Sequence, residues 1–244
     1  MCNNNVQQDF DSPWKEALDA YFPSFLFFFF PEVYADVDWS CGYVFLDKEF
    51  QKITCDAEQG RRYVDKLVRV FRNDGKETWL LIHVEIQGQP DANFSERMFV
   101  YYYRIIDRYK RETISLGVLS DSSEDFRPGP YTHECLGCGI TFTFPVAKVL
   151  DYGKDWSKLE KSDNPFAMVV MAHLKAQEIG VREGAERRRW KLYLIRILYD
   201  RGYRWEDVLQ LFRFIDWLLI LPPGNRSPPS FYTKKRLDKK RGSR

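Results

Sequence analysis

The part of the sequence that is most informative about the fold runs from Arg62 to Gln87 and reads RYVDKLVRVFRNDGKETWLLIHVEIQ. Apolar and polar residues alternate along its first half, Asn73-Asp74-Gly75 follows as a turn signal, and the run from Thr78 to Gln87 repeats the alternation. A period of two is typical of β-strands with one buried face, and a glycine-containing connection of this length favours a hairpin. The stretch therefore predicts a β-hairpin.

The two faces of this hairpin differ in polarity. The apolar face comprises Val64, Val68, Val70, Leu80, Ile82, Val84 and Ile86. The polar face comprises Asp65, His83, Glu85 and Gln87. Whether these four polar residues meet depends on the register of the two strands, because a slip of one residue sends a side chain through the sheet.

The loop length sets that register. A three-residue loop, Asn73-Asp74-Gly75, pairs Arg72 with Lys76, whereas a two-residue loop would move Asp65 to the apolar face, where a carboxylate is costly. In the favoured register Asp65 lies opposite His83. Asp65 and Glu85 are then diagonal neighbours, and we expect both carboxylates to be within reach of one bound cation.

Helix and strand patterns surround the hairpin. Ser12 and Pro13 favour a first helix that ends near Pro23, and a second helix is expected from Asp47 to Gly60. The next elements predicted along the chain are a helix over Phe94 to Tyr109, strands over Thr113 to Leu119 and Gly139 to Val146, and helices over Asn164 to Glu178, Arg187 to Arg201 and Trp205 to Leu221. This order predicts an α/β fold, a mixed β-sheet flanked by helices with an all-helical C-terminal extension.

Composition narrows the class of protein. The chain has 244 residues, is 44% hydrophobic and carries a net charge of +2, which favours a folded globular protein. The basic excess lies in the tail from Lys234 to Arg244, so the remainder is acidic and is not expected to act as a passive nucleic-acid coat. Short apolar runs, an acidic N-terminal stretch and five scattered cysteines predict no membrane span, no signal peptide and a cytoplasmic location.

The paired carboxylates indicate a site for a hard cation. Mg²⁺ prefers oxygen ligands and keeps several waters, so Asp65 and Glu85 together with a substrate phosphate would complete its coordination, with Mn²⁺ as a substitute. Such a metal polarises a scissile phosphate and activates a water. Gln87 would orient that water without acting as a base. No organic cofactor is expected.

The chain resembles the PD-(D/E)XK nuclease superfamily in the order of its motifs. These are Asp65, a turn, Glu85-Ile86-Gln87 at the end of an apolar strand, a helix containing Glu96-Arg97-Met98-Phe99, and a further strand. The Glu-x-Gln variant is similar to a group of recombination-promoting nucleases and transposase-like proteins. The segments Asp11 to Glu16 and Met171 to Lys175 resemble a bacterial, often cyanobacterial, branch of that group.

The resemblance implies a function and a division of the chain. It implies a restriction-endonuclease-like core over residues 9–152, a helical extension over 153–222 and a disordered basic tail over 223–244. It also implies a metal-dependent DNA endonuclease linked to recombination or mobile elements, acting as a homodimer where both strands are cut. RNA cleavage would use the same site.

The resemblance also assigns residues. Asp65 and Glu85 would bind the metal, Gln87 would stand where the superfamily usually has its catalytic Lys, and Glu16 on the first helix would be an additional ligand. Asp9, Asp11 and Asp19 compete with Glu16 for that role. Two features depart from the family: Gln87 lacks the positive charge of Lys, and Tyr63-Val64 stand where a Pro usually precedes the Asp.

Other interpretations of the same residues stay open. The polar face could be a solvated surface of an antiparallel hairpin, or a remnant in a catalytically degenerate protein that binds DNA or a partner. On the predicted helix, Arg97, Arg104 and Arg108 fall on one stripe that would contact DNA phosphates or simply face solvent. His133, Cys135 and Cys138 suggest zinc, but a structural zinc site usually needs four ligands, so the sequence does not favour a metal there.

Overall fold

A computed structural model describes residues 11–48, 64–74, 79–180 and 182–221. The helices are α1 (Asp11–Phe29), α2 (Pro31–Asp36), α3 (Phe94–Tyr109), α4 (Val149–Tyr152), α5 (Trp156–Lys161), α6 (Pro165–Glu178), α7 (Gly184–Asp200) and α8 (Trp205–Leu218). The strands are β1 (Val44–Phe45), β2 (Val64–Phe71), β3 (Trp79–Gln87), β4 (Glu112–Leu119), β5 (Tyr131–Cys135), β6 (Cys138–Phe142) and β7 (Val146–Lys148). Short 3₁₀ turns cover Trp39–Cys41 and Gly153–Asp155.

The main sheet has five strands in the order β1-β2-β3-β4-β7. Strands β1, β2 and β3 are antiparallel neighbours, whereas β3, β4 and β7 run parallel. Helix α3 forms the crossover between β3 and β4, which a parallel pair requires. The predicted α/β class with a mixed sheet flanked by helices is therefore confirmed.

The predicted hairpin forms, but its register is shifted by two residues. Phe71 pairs with Trp79 and Asp65 pairs with Glu85, so the expected pairing of Asp65 with His83 is wrong. Lys76, the expected partner of Arg72, lies outside the described residues. Arg72 forms a β-bridge with Val37, and its guanidinium binds Asp36 at 2.8 Å. A shift of two residues keeps each position on its predicted face.

Both faces of the hairpin are buried. Helix α1 packs on one face, and helices α6 and α8 pack on α1. Their apolar side chains belong to one buried cluster with Val68, Ile82 and Val84. Helix α3 covers the other face, where Tyr101 and Ile105 pack on Leu67 and Leu81. Because His83, Glu85 and Gln87 lie beneath α3 and are buried, the solvated-surface interpretation of the polar face is wrong.

Helix α1 is interrupted close to the place where the sequence predicts the end of the first helix. Tyr21 has non-helical backbone angles, and a second helical segment continues past Pro23 to Phe29. Proline lacks the N–H that would bond one turn back, so α1 kinks at this place. Burial of the aromatic run beyond the kink, including Phe25 and Phe29, holds the second half of the helix against the core.

The other predicted elements agree with the structure to different degrees. Helix α3 and strand β4 match the prediction closely, as do the three long C-terminal helices. The strand expected from Gly139 to Val146 is instead two strands, because β6 pairs with β5 in a separate hairpin and β7 joins the main sheet after Pro145. Of the helix expected from Asp47 to Gly60, only residues 47–48 are described, and they are helical.

The C-terminal helices share a hydrophobic core with the sheet. Met171 of α6, Leu198 of α7 and Phe214 of α8 belong to the same buried cluster as Val84 of β3. The domain boundary at residues 152 and 153 stays a prediction, and residues 1–10 and the tail over 223–244 lie outside the described part of the chain. No helix within the described ranges has the length and apolar character needed to cross a membrane.

Candidate functional site

The candidate site lies at the carboxyl end of strand β3. Glu85 and Gln87 are the last polar residues of this strand, and the neighbouring strands β4 and β7 end at the same edge because all three are parallel. Ligand sites in α/β sheets usually occupy the crevice outside these strand ends. Position 65, at the start of β2, is directly opposite Glu85 in the register. The side chain of Asp65 lies outside the described residues.

Arg97 of α3 holds the site together. Its guanidinium donates to Glu85 Oε1 from Nε at 2.8 Å and from Nη2 at 2.5 Å, and Nη2 also donates to Gln87 Oε1 at 2.8 Å. Its Nη1 donates to Asp91 Oδ2 at 2.5 Å. Arg97 therefore faces the carboxylates rather than solvent, which differs from the DNA-contacting position that the helical stripe predicted.

Glu85 is the least satisfied group of this cluster. Its side chain is fully buried, and Oε2 has no hydrogen-bond partner within the described part of the chain. Burial raises the pKa of Glu85 to about 7, against the lowering effect of Arg97. An isolated buried carboxylate oxygen costs free energy unless a cation or a proton satisfies it.

Aromatic and glycine residues pack closely beside Glu85. Gly117 of β4 is the residue paired with Glu85, and the ring of Phe94 lies against it. A Cβ at Gly117 would be 3.1 Å from Phe94 Cζ, so only glycine allows the ring to approach this closely. The ring also packs beside the Arg97 guanidinium, at 5.5 Å from its centroid. We expect this packing to contribute to the burial of Glu85.

His83 lies two residues before Glu85 on the same face of β3. It is fully buried, its Nδ1 is 3.2 Å from Ser115 Oγ, and its ring contacts Tyr101 edge-on. Burial and the nearby Arg97 lower the pKa of His83 to about 3, so the imidazole is neutral at physiological pH. Its contacts are those of a structural residue beneath α3.

A second charged pair occupies the ends of β4 and β7. Lys148 Nζ donates to Asp121 Oδ2 at 2.6 Å, and the backbone N–H of Ser123 donates to Asp121 Oδ1 at 2.9 Å. Both side chains are buried. The sequence did not predict this pair, because it depends on β7 pairing in parallel with β4. The available signal was a charged residue at the end of β7 and another two residues beyond the end of β4.

His173 connects this edge of the sheet to the helical layer. Its Nε2 is 2.7 Å from the carbonyl oxygen of Ser120, and Trp14 Nε1 donates to its Nδ1 at 3.3 Å. The Ser120 N–H in turn donates to the Gln87 carbonyl at 2.9 Å. His173 is thus a core residue with both ring nitrogens bonded, and burial lowers its pKa to about 4.

The remaining predicted site residues lie farther out. Glu16 is exposed on α1, which packs on the opposite face of the sheet from Glu85. On that helix it is Asp19 that contacts the sheet, where it accepts a hydrogen bond from buried Lys66 at 2.5 Å. Arg104 is half-buried and Arg108 is exposed on α3. Within the described ranges no three His, Cys, Asp or Glu side chains are gathered around one point.

No protein-family model, no curated protein and no solved structure matches this chain. The PD-(D/E)XK superfamily therefore remains a resemblance carried by the residues of the hairpin and α3.

Proposed function

We propose that this protein is a metal-dependent DNA endonuclease whose site is built on Glu85 at the end of β3. One observation carries the proposal: Glu85 Oε2 is buried without a hydrogen-bond partner in the described residues, at the position paired with Asp65. A second carboxylate across the strand pair and an unsatisfied buried oxygen are the donors that a hard cation uses. Mg²⁺, with Mn²⁺ as a substitute, is the metal that fits this donor set.

Each residue of the cluster has a distinct part in this proposal. Asp65 and Glu85 Oε2 would hold the cation, which when bound supplies charge to the scissile phosphate and activates a water. Arg97 occupies Glu85 Oε1 and so directs the other oxygen toward the ligand. It also fixes the amide of Gln87, whose Nε2 donates to the carbonyl of Gln89 at 2.5 Å. Gln87 can orient polar groups but cannot accept a proton.

A proton competes with the cation for Glu85. Because burial raises the pKa of Glu85 to about 7, the carboxyl is partly protonated at neutral pH in the absence of metal. Metal binding requires the ionised form and releases the proton. Affinity for Mg²⁺ should therefore rise between about pH 6 and pH 8, and this rise should be absent in Glu85→Gln.

A catalytically degenerate protein that binds DNA or a partner is the second candidate. The observation that favours it is the position of Arg97, whose guanidinium already supplies positive charge to Glu85 and Asp91. An arginine in this place stabilises the carboxylates without any metal. On this alternative the fold and its surface act in binding, and Glu85 has a structural role alone.

Cleavage of supercoiled plasmid separates the two candidates. Purified protein is incubated with Mg²⁺ or Mn²⁺ beside Glu85→Gln, which keeps the size of the side chain and an acceptor for Arg97, and beside Glu32→Gln, an exposed acid on α2, as the matched control. A nuclease nicks the plasmid only with metal, and Glu85→Gln loses at least about a hundredfold in rate, as expected when a charged group of the site is removed. Equal rates for Glu85→Gln and the control, or DNA binding indifferent to metal and to Glu85, would exclude the endonuclease.

A further inference from the structure

The β5–β6 hairpin stands apart from the main sheet. Its base packs on α3, where the Tyr131 ring stacks on Phe99 at 4.9 Å and the Phe142 ring lies 4.6 Å from Tyr102. Toward the tip every residue from Thr132 to Thr141 is exposed. The hairpin is therefore anchored at one end and presents its other end to solvent.

Two thiols face each other at this tip. Cys135 and Cys138 are paired in the register, both are exposed and both are free. The two residues between them, Leu136 and Gly137, have φ angles of 49° and 82°, the backbone of the tight turn that closes two-residue hairpins. Asn-Gly is the usual sequence there, and Leu136 adopts this conformation with a fully exposed side chain. The turn fixes the separation of the two cysteines.

That separation fits metal chelation better than a disulfide. The pair closing a two-residue loop exchanges backbone hydrogen bonds, and its Cβ atoms are about 5 Å apart. A disulfide draws two Cβ atoms to about 3.8 Å, with sulfurs about 2 Å apart. Two thiolates on one tetrahedral Zn²⁺, each about 2.3 Å from the metal, are about 3.8 Å apart. The sulfurs reach that distance without movement of the backbone.

A third donor lies on the same face of the hairpin. His133 precedes Cys135 by two residues, so strand alternation places it on the face of the thiols, and it is exposed. The three side chains are not gathered around one point in the structure. Because the imidazole and both thiols are exposed, we expect a change of side-chain rotamer to bring the imidazole toward the sulfurs. Four protein ligands are unnecessary, because zinc sites with three protein ligands keep water in the fourth position.

We propose that the β5–β6 hairpin binds a thiophilic divalent cation of the Zn²⁺ class through Cys135, Cys138 and His133. Both thiols lose their protons to solvent as the two metal–sulfur bonds form, the neutral imidazole donates a lone pair, and no group is oxidised or reduced. The site is separate from Glu85 and does not depend on the proposed endonuclease activity. Water would occupy the fourth coordination position.

Titration of the full chain with Co²⁺, followed by displacement with Zn²⁺, tests the site. Wild-type protein kept reduced should bind one Co²⁺ per chain with thiolate-to-cobalt absorption in the near ultraviolet, and Zn²⁺ should abolish the absorption. Cys135→Ser and Cys138→Ser should each remove it, and His133→Asn should weaken binding by at least about tenfold. Cys41→Ser is the matched control, since Cys41 is another exposed cysteine, and this variant should keep the full absorption.

Three results would overturn the proposal. The first is that the wild type shows no thiolate absorption, and the second is that the absorption survives in Cys135→Ser/Cys138→Ser. The third is that Cys135 and Cys138 form a disulfide in protein prepared without reductant, and that this disulfide re-forms in the presence of Zn²⁺. Thermal unfolding of the variants without metal should match the wild type, because the substituted side chains are exposed. A variant that loses binding because it misfolds would differ from the wild type in its thermal unfolding.

Discussion

Two buried acid–base clusters lie at the same edge of the sheet, and they differ in how completely their carboxylates are bonded. In the Asp121–Lys148 pair each carboxylate oxygen has a donor, one from Lys148 and one from the backbone of Ser123. In the Glu85–Arg97 cluster Oε1 of Glu85 accepts two hydrogen bonds, whereas Oε2 accepts none from a described residue. Both carboxylates are equally inaccessible to solvent.

The difference separates a structural role from a functional one. A buried ion pair with every oxygen bonded stabilises the fold only as long as both partners are present. A buried carboxylate with one unsatisfied oxygen retains a capacity to bind a proton or a cation, and this capacity is typical of functional sites. Burial of charge alone would not have distinguished Asp121 from Glu85.

The largest effect on stability is expected for Lys148→Met. Methionine fills a similar volume but leaves the Asp121 carboxylate buried without its cation, so the free energy of unfolding at pH 7 should fall by about 3–5 kcal/mol. Chemical denaturation measures the change. Lys154→Met is the matched control, because Lys154 pairs with Asp151 at the surface, where loss of the pair costs less than about 1 kcal/mol. Similar losses for the two variants would contradict the structural role of Asp121–Lys148.

Arg97→Met should cost less than Lys148→Met. When the guanidinium is removed, Glu85 can remain protonated, because burial already raises its pKa to about 7. At pH 6 the loss should be about 2 kcal/mol, chiefly from the hydrogen bonds that Arg97 no longer donates to Asp91 and Gln87. Denaturation of both variants at pH 6 measures the difference. A loss for Arg97→Met as large as that for Lys148→Met would mean that Glu85 cannot take up a proton.

The dependence of stability on pH should isolate Glu85. Its pKa is raised from 4.5 to about 7 by folding, so the native state binds more protons than the unfolded state in that window. The contribution of Glu85 is fully present below about pH 4.5 and is lost as the pH rises through about 7, by an amount on the order of 3 kcal/mol. Glu85→Gln should therefore gain stability relative to the wild type as the pH rises.

The buried histidines act in the opposite direction. Folding lowers the pKa of His83 to about 3 and that of His173 to about 4, so the unfolded state binds more protons below about pH 6.5. Their contribution to stability rises with pH over this range and offsets that of Glu85. The histidines contribute equally to wild type and to Glu85→Gln. Their contribution therefore cancels in the difference in stability between the two proteins, measured by denaturation from pH 4 to pH 8. A difference that does not change with pH would contradict the raised pKa of Glu85.

Local patterns predicted most of the elements. Three features follow from the nearest residues, and the structure contains all of them. They are the period of two at Val68 and Ile82, the apolar stripe of α3, and the start of α6 at Asn164 and Pro165. The faces of the hairpin were also predictable, since alternation assigns Glu85 and Gln87 to one side whatever the loop length. The order of strand, strand, helix and strand followed from the same signals.

Contacts between distant segments account for what was missed. Asp36 and Val37 bond Arg72 at the end of β2, and no feature within the hairpin indicates these contacts. The bonds from Arg97 to Glu85 depend on how α3 lies across the sheet, so the same arginine was predicted to face DNA or solvent. The pairing of Lys148 with Asp121 needs the short strand β7 to join β4 in parallel. Such contacts are encoded by the whole core rather than by a local pattern.

The smallest effect on stability should come from Gly117→Ala, which tests whether the ring of Phe94 keeps water away from Glu85. The added methyl group would lie 3.1 Å from Phe94 Cζ and 3.5 Å from Val146 Cγ2, so the ring must move. Overpacking of this kind costs about 1 kcal/mol. Displacing the ring should admit water and lower the pKa of Glu85 toward its ordinary value. The difference in stability between Gly117→Ala and Gly117→Ala/Glu85→Gln should then change little from pH 4 to pH 8.

Phe94→Leu in the Gly117→Ala background makes room for the methyl group and should restore part of the stability. It should leave Glu85 as hydrated as in the single variant. If Gly117→Ala kept the full pH dependence of the wild type, the ring of Phe94 would not be what excludes water, and the raised pKa would have to come from the rest of α3.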